Sequence, residues 1–182
     1  MTVQILSPFG EMKKTNNAPF NFRYALLGIG LIVVAWFICH RISSVEADEL
    51  SLVIIKPDGV SKGLTSLIYR RLRDELGLEL LMEKSFEQAS FQILLKHYEE
   101  HKDRPFFAPL VQFMQSGPIA VSVWKGKTGT VNAMRELVGP TDPAKAPASS
   151  IRGEYGTSVQ RNVIHASDSV ESAKREIAIW FH

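Results

Sequence analysis

The chain predicts an α/β sandwich in which helices cover a sheet of about four strands. From Leu50 onward, short apolar runs alternate with stretches whose apolar residues recur at helical spacing. Gly- and Pro-containing turns separate them. Composition agrees. Apolar residues make up 45% and charged residues 22% of the 182, ordinary for a globular protein and of a length that suits one domain with an extension.

The elements follow in order. Leu52–Ile55 is an apolar run that ends in Lys-Pro-Asp-Gly, a strand into a turn. Leu64–Leu76 carries Leu64, Leu67, Ile68 and Leu72 between charged residues, an amphipathic helix that Gly77 stops. Leu78–Phe86 is a second strand. Phe91–His101 has Phe91, Leu94, Leu95 and Tyr98 at helical spacing, and a short helix over Phe106–Met114 follows Pro105. Ile119–Trp124 is the third strand and Val131–Val138 a helix. Gly139–Gly156, with Pro140, Pro143 and Pro147, reads as a long loop, and such loops in compact domains are usually functional or disordered. Gln160–Ile164 is the fourth strand. Ser169–Phe181 is the last helix, capped by Asp168 with Glu171 three residues on, its buried face formed by Val170, Ala173, Ile177 and Trp180.

Residues 1–49 read as an extension and 50–182 as the folded domain. Tyr24–Cys39 runs for about 16 residues without a charge, near the lower end of the ~17–25 needed to span a bilayer. The candidate segment 24–42 has three readings. It is an uncleaved membrane anchor, a cleaved targeting segment, or a stretch never made because translation starts downstream. Lys13, Lys14 and Arg23 before it would keep the N-terminus in the cytoplasm. That would place the folded domain on the far side of the membrane. If the segment is removed or never made, the expectation is a cytoplasmic protein. Ser43–Glu49 reads as a polar linker.

Net charge is +2, which makes no case for nucleic acid as a partner. Cys39 is the single cysteine, so no internal disulfide is available. No carboxylate cluster suits a dedicated all-protein metal site.

The chemistry concentrates in Asn162–Glu176, NVIHASDSVESAKRE. His165 falls where a strand ends and a helix is about to begin. A neutral imidazole there can act as nucleophile toward phosphate, and the helix N-terminus favours negative charge nearby. A strand-end histidine by itself is more often structural. Four further stretches change that reading: Ile-Lys-Pro-Asp-Gly-Val at 55–60, His-Tyr at 97–98 with Arg-Pro-Phe-Phe at 104–107, Ser-Gly-Pro at 116–118, and Gly-Pro-Thr-Asp-Pro through Ile-Arg-Gly-Glu-Tyr-Gly at 139–156. Together, in this order, they resemble the pattern of nucleoside diphosphate kinases, over about Leu50 to Phe181.

The resemblance implies a ferredoxin-like sandwich, with a four-stranded antiparallel sheet covered by helices. It implies a ping-pong enzyme in which His165 takes the γ-phosphate of a nucleoside triphosphate, mainly ATP, and passes it to a diphosphate. Lys56, Arg135 and Arg152 match the family's phosphate-binding cations, as the spread negative charge of a phosphoryl group in flight requires. Thr141 matches a hydroxyl donor to phosphate, and Tyr98 a residue beside the nucleophile. Glu176 matches the carboxylate that holds the imidazole tautomer through its far nitrogen, with Ser167 near it. Asn162 and Lys56 are similar to residues that contact the ribose, and Phe106 to the residue on which the base stacks. Mg²⁺ is expected to arrive with the nucleotide. A homo-oligomer, hexamer or tetramer, is expected, although relatives often continue with a subunit-binding tail where this chain stops at His182. Ala166 stands where the family usually has Gly, and a positive φ there would cost Ala about 1 kcal/mol. Two alternatives remain: a membrane-tethered, weakly active binding or scaffolding module, and a histidine phosphocarrier serving a protein partner.

Overall fold

Leu52, Val53, Ile54 and Ile55 are all fully buried, which requires a strand with cover on both faces, since side chains alternate along it. The computed structural model describes residues 47–181. In it these four residues belong to β1 (Glu49–Ile55), an inner strand of a four-stranded antiparallel sheet ordered β2-β3-β1-β4. The remaining elements are α1 (Pro57–Ser61), α2 (Thr65–Leu76), β2 (Glu79–Phe86), α3 (Phe91–His97), α4 (Phe107–Met114), β3 (Ile119–Gly126), α5 (Thr130–Val138), α6 (Ile151–Tyr155), β4 (Ile164–Ala166) and α7 (Val170–Trp180). The candidate membrane segment 24–42 lies outside the described residues. Among those described, no helix is long and apolar enough to cross a membrane.

The alternation of β1 divides the core in two. Val53 and Ile55 face a cluster with Ile68 and Leu72 of α2, Met134 and Val138 of α5, and Trp124. Leu52 and Ile54 face another with Leu94 of α3, Val111 and Met114 of α4, and Trp180 of α7. Each face holds one fully buried tryptophan, and each indole N–H finds an acceptor. Trp124 donates to Ser122 Oγ at 2.9 Å and Trp180 to His97 Nδ1 at 3.2 Å. Removing either indole would cost about 3–5 kcal/mol by cavity formation.

Several sequence expectations shift. Gly77 ends α2 in the left-handed conformation, as its lack of a Cβ permits. The Lys-Pro-Asp-Gly turn is the one-turn helix α1, started by proline. The Phe91–His101 helix divides into α3 and a 3₁₀ turn, Glu99–His101. The long 139–156 loop contains a 3₁₀ turn, Pro143–Lys145, and the helix α6, too short to show a period in sequence. Glu49 is no linker residue. It opens β1, and its carboxylate accepts from the backbone of Gly129 and Val131 at 2.8 and 2.7 Å, capping α5 from a distant strand. Ser169, not Asp168, caps α7, its Oγ accepting from Ser172 N.

Candidate active site

The expected fourth strand, Gln160–Ile164, is displaced. Val163 has φ +63°, a left-handed conformation that strains a β-branched residue by about 1–3 kcal/mol. Neighbouring bonds over-determine this turn. Val163 N donates to Asp58 Oδ2 at 3.1 Å, Lys56 N donates to Val163 O at 2.9 Å, and Ile164 N reaches back to Asn162 O at 2.7 Å. Gly59 is required beside it, because a Cβ there would lie 2.6 Å from Val163 O. The strand therefore begins only at Ile164. His165 lies in the middle of β4, opposite Ile54, rather than at a strand end. Ala166 also sits in β4, buried and opposite Val53, and is not among the positive-φ residues. The strain expected at Ala166 resides at Val163.

Pairing with Ile54 turns the His165 ring to the face of α3 and α7. Glu176 of α7 lies 3.1 Å from Nε2 through Oε1, and its Oε2 accepts from Ser167 Oγ at 2.6 Å. Ser167 in turn accepts from Leu52 N at 3.1 Å, so the carboxylate is tied to the sheet. Burial pushes the Glu176 carboxyl up, but the facing imidazoles and the Ser167 hydroxyl outweigh it and hold it down at about 2. An ionised Glu176 accepts a hydrogen bond from Nε2–H and leaves the lone pair on Nδ1.

The ring borders a cavity of about 630 Å³. Nine of the ten sequence-derived site residues line it: Lys56, Tyr98, Phe106, Arg135, Thr141, Arg152, Asn162, His165 and Glu176. Ser167 stands behind Glu176, fully buried. No ion pair to Lys56, Arg135 or Arg152 occurs among the described residues. Burial drives the Lys56 ammonium down to about 8, with the Arg152 charge adding and Asp58 opposing. Burial likewise lowers Arg152 to about 10, with Arg135 adding. Lys56 Nζ donates to Asn162 Oδ1 at 2.6 Å, and Arg152 to Gly139 O and Ile164 O, each at 2.9 Å. Arg135 reaches Ala166 O at 3.4 Å. Carbonyls orient these cations without neutralising them, which is what a site built for a polyanion requires.

Asn162 ties the walls together. Its Nδ2 donates to Thr141 O at 2.8 Å and Val159 O at 2.9 Å, while its Oδ1 receives Lys56. Tyr98 is buried, its hydroxyl without a hydrogen-bond partner among the described residues, and burial pushes its ionisation far above the ordinary phenol. The apolar wall carries Phe106, 51% exposed, and Val159, 56% exposed.

Sequence reasoning missed two contributors. Asp58 lies inside the Lys-Pro-Asp-Gly stretch, yet only the fold reveals that it holds the Val163 turn. His97 packs edge-on against His165, ring centroids 4.8 Å apart, and burial drives its pKa down to about 3. The signal for His97 was a histidine on the apolar side of a helix. Its Nδ1 accepts from Trp180, which places its proton on Nε2. It is therefore a poor ligand, and the trio His97, His165 and Glu176, whose ligand atoms lie within 4.8 Å, does not suit a hard oxygen-seeking cation.

The comparisons agree with this geometry. Residues 49–182 match the family model described as nucleoside diphosphate kinase. Human nucleoside diphosphate kinase A is 47% identical over 134 residues, covering 74% of this chain and 86% of that protein. A Synechococcus nucleoside diphosphate kinase is 44% identical over 137 residues, covering 73% and 87%. Among solved structures, the Aquifex aeolicus nucleoside diphosphate kinase superposes with a TM-score of 0.70 at 40% identity, over 75% of this chain and 96% of that one. The Encephalitozoon cuniculi enzyme gives 0.70 at 38% identity, over 73% and 88%. A polyanion cavity with an oriented imidazole at its wall, in a chain this similar to these proteins over its whole described domain, means that the chain belongs to the nucleoside diphosphate kinase family, enzymes that transfer a terminal phosphate between nucleotides.

Proposed function

We propose that His165 carries the phosphate. Its Nδ1 lone pair attacks the γ-phosphorus of a nucleoside triphosphate, ATP above all. The bond to the bridging oxygen breaks and its electron pair leaves with the diphosphate. The Nε2 proton stays between the ring and Glu176, whose charge balances the phosphoimidazole. In the second half-reaction a terminal oxygen of a nucleoside diphosphate attacks the same phosphorus, and the P–N bond breaks back to Nδ1. Lys56, Arg135 and Arg152 stabilise the charge spread over the transferring group. Thr141 and Tyr98 donate hydroxyl hydrogens to it. Lys56 and Asn162 face the ribose, and the base lies on Phe106.

Mg²⁺ supplies neutralising charge on the phosphates when it arrives with the nucleotide. Asp168, on the cavity lining, is the carboxylate that would face the ion. A homo-oligomer, hexamer or tetramer, belongs to this reading. It is supported by the exposed apolar side chains Leu80, Leu81 and Met82 on the edge strand β2.

The observation that carries the proposal is the 3.1 Å contact between Nε2 and Glu176, which leaves Nδ1 to the cavity. In His165→Ala, exchange from ATP to a diphosphate acceptor falls at least a thousandfold. Acid-labile labelling by γ-labelled ATP disappears, with circular dichroism unchanged. Label that persists on this variant puts the nucleophile elsewhere.

A further inference from the structure

The helix α6 is five residues long, and a helix of barely more than one turn has little stability of its own, so its orientation is set from outside. That orientation matters because Arg152 rides on it. The Arg152 guanidinium is bound to Gly139 O and Ile164 O, and a rotation or slide of α6 would pull the cation away from both. Fully buried Ile151 anchors the helix to the core, and Ser150 caps its first turn. An apolar anchor sets a depth but is non-directional, so it leaves rotation about itself open.

On the outer side, Arg71 of α2 grips both ends of α6. Its Nη2 donates to Ser149 O at 2.8 Å, just ahead of the Ser150 cap. Its Nη1 donates to Glu154 Oε2 at 3.3 Å, near the end of the helix. Glu75, one turn further along α2, orients the guanidinium, accepting from Nε at 2.6 Å and from Nη2 at 3.2 Å. These contacts leave the Arg71 side chain only 17% exposed. Lys62 adds a single bond at the C-terminal end, to Tyr155 O at 2.9 Å. Isolated surface ion pairs contribute little to stability. A planar fork with several fixed partners contributes position instead.

Resting on the nucleotide reading above, in which Arg152 stabilises the transferring phosphate, we infer that Arg71 is a positioning residue for the transfer. Arg71 is not on the cavity lining. It acts through α6, setting where the Arg152 guanidinium stands. A misplacement of about 1 Å in such a group can cost as much as about a hundredfold in rate.

The test is a double-mutant cycle on the full chain, read as kcat and KM for transfer from ATP to a diphosphate acceptor, with the melting temperature of every variant. Arg71→Leu lowers kcat about tenfold. KM stays within about twofold, since Arg152 acts on charge that develops during transfer. In the Arg152→Leu background, Arg71→Leu lowers kcat no further. The milder Arg71→Lys keeps the charge without the fork, costs about threefold and follows the same cycle, so the comparison stands even where the leucine variant folds poorly. Arg71 variants that keep kcat within about twofold of wild type overturn the inference. So does a loss that repeats in full when Arg152 is already leucine, the multiplicative result expected of a residue that only stabilises the fold. Wild-type transfer by Arg152→Leu alone refutes instead the reading that Arg152 meets the phosphate, and the inference falls with it.

Discussion

Lys56 shows how far one side chain can be bent toward a function. Its ammonium is buried beside Arg152, and it donates to Asn162 and Gln160 oxygens. A lysine whose pKa is lowered to about 8 is destabilising while charged. Between about pH 8 and the ordinary lysine value of 10.5 the unfolded chain holds a proton that the folded chain has lost. Stability of the nucleotide-free enzyme therefore rises with pH across that window. Nucleotide binding needs the charge and moves oppositely. We expect kcat/KM to fall on a limb centred near pH 8, since that parameter reports the free enzyme's ionisations. A profile level to about pH 10 would mean that Lys56 does not carry the phosphate contact. At this scale sequence and structure agree unevenly. Lys56, Arg152 and His165 stood out because motifs surrounded them. Ser169 displaced Asp168 as the cap of α7 because either can accept from the first turn, and only backbone geometry decides.

Elements explain where the sequence reading slipped. A turn at Val163 ends the extended run that periodicity assigned to Gln160–Ile164, and no propensity marks a valine for a left-handed conformation. The turn exists because Asp58 and Lys56, about a hundred residues earlier, hold it. Removing that support should be measurable. Asp58→Ala leaves the buried Val163 N–H unpaired, at about 1–3 kcal/mol, and lowers the melting temperature by about 4–10 °C. Asp58→Asn retains an acceptor oxygen and most of the stability. Equal melting of the two variants in differential scanning calorimetry would show that this bond does not hold the turn. The α6 helix escaped notice for another reason. Five residues give barely more than one turn, and the evidence for it is the Ser150 cap, whose Oγ accepts from Gly153 N at 3.2 Å. Where the pattern was long, as in α2 and α7, sequence boundaries and observed ones differ by a residue or so.

For the whole molecule, the two sheet edges are treated differently. One edge is β4, three residues long and occupied by His165, the proposed nucleophile. The other is β2, eight residues long and exposed along most of its length, with Leu80, Leu81 and Met82 facing out. In sequence, Leu78–Phe86 reads only as a second strand, and among the described residues no layer covers these three side chains. A bulge between Leu80 and Met82 leaves Leu81 outside the ladder. If copies of the chain associate through this edge, Leu81→Asp should shift light-scattering mass toward a smaller assembly while the domain's circular dichroism is retained. An unchanged mass would assign assembly to another surface. The α/β layering and the antiparallel sheet are thus recoverable from one chain, whereas the purpose of an exposed apolar edge becomes apparent only from the sheet order.

The ladder bonds that pin His165 against Ile54 also limit how the enzyme can work. A nucleophile riding on a mobile loop could swing between two partners held in separate chambers. A nucleophile built into a sheet stays put, so donor and acceptor must take turns in one berth. Each product then competes with the next arrival for the space it has just left, and the cell's ratio of triphosphates to diphosphates, more than any moving part, sets the direction of flow.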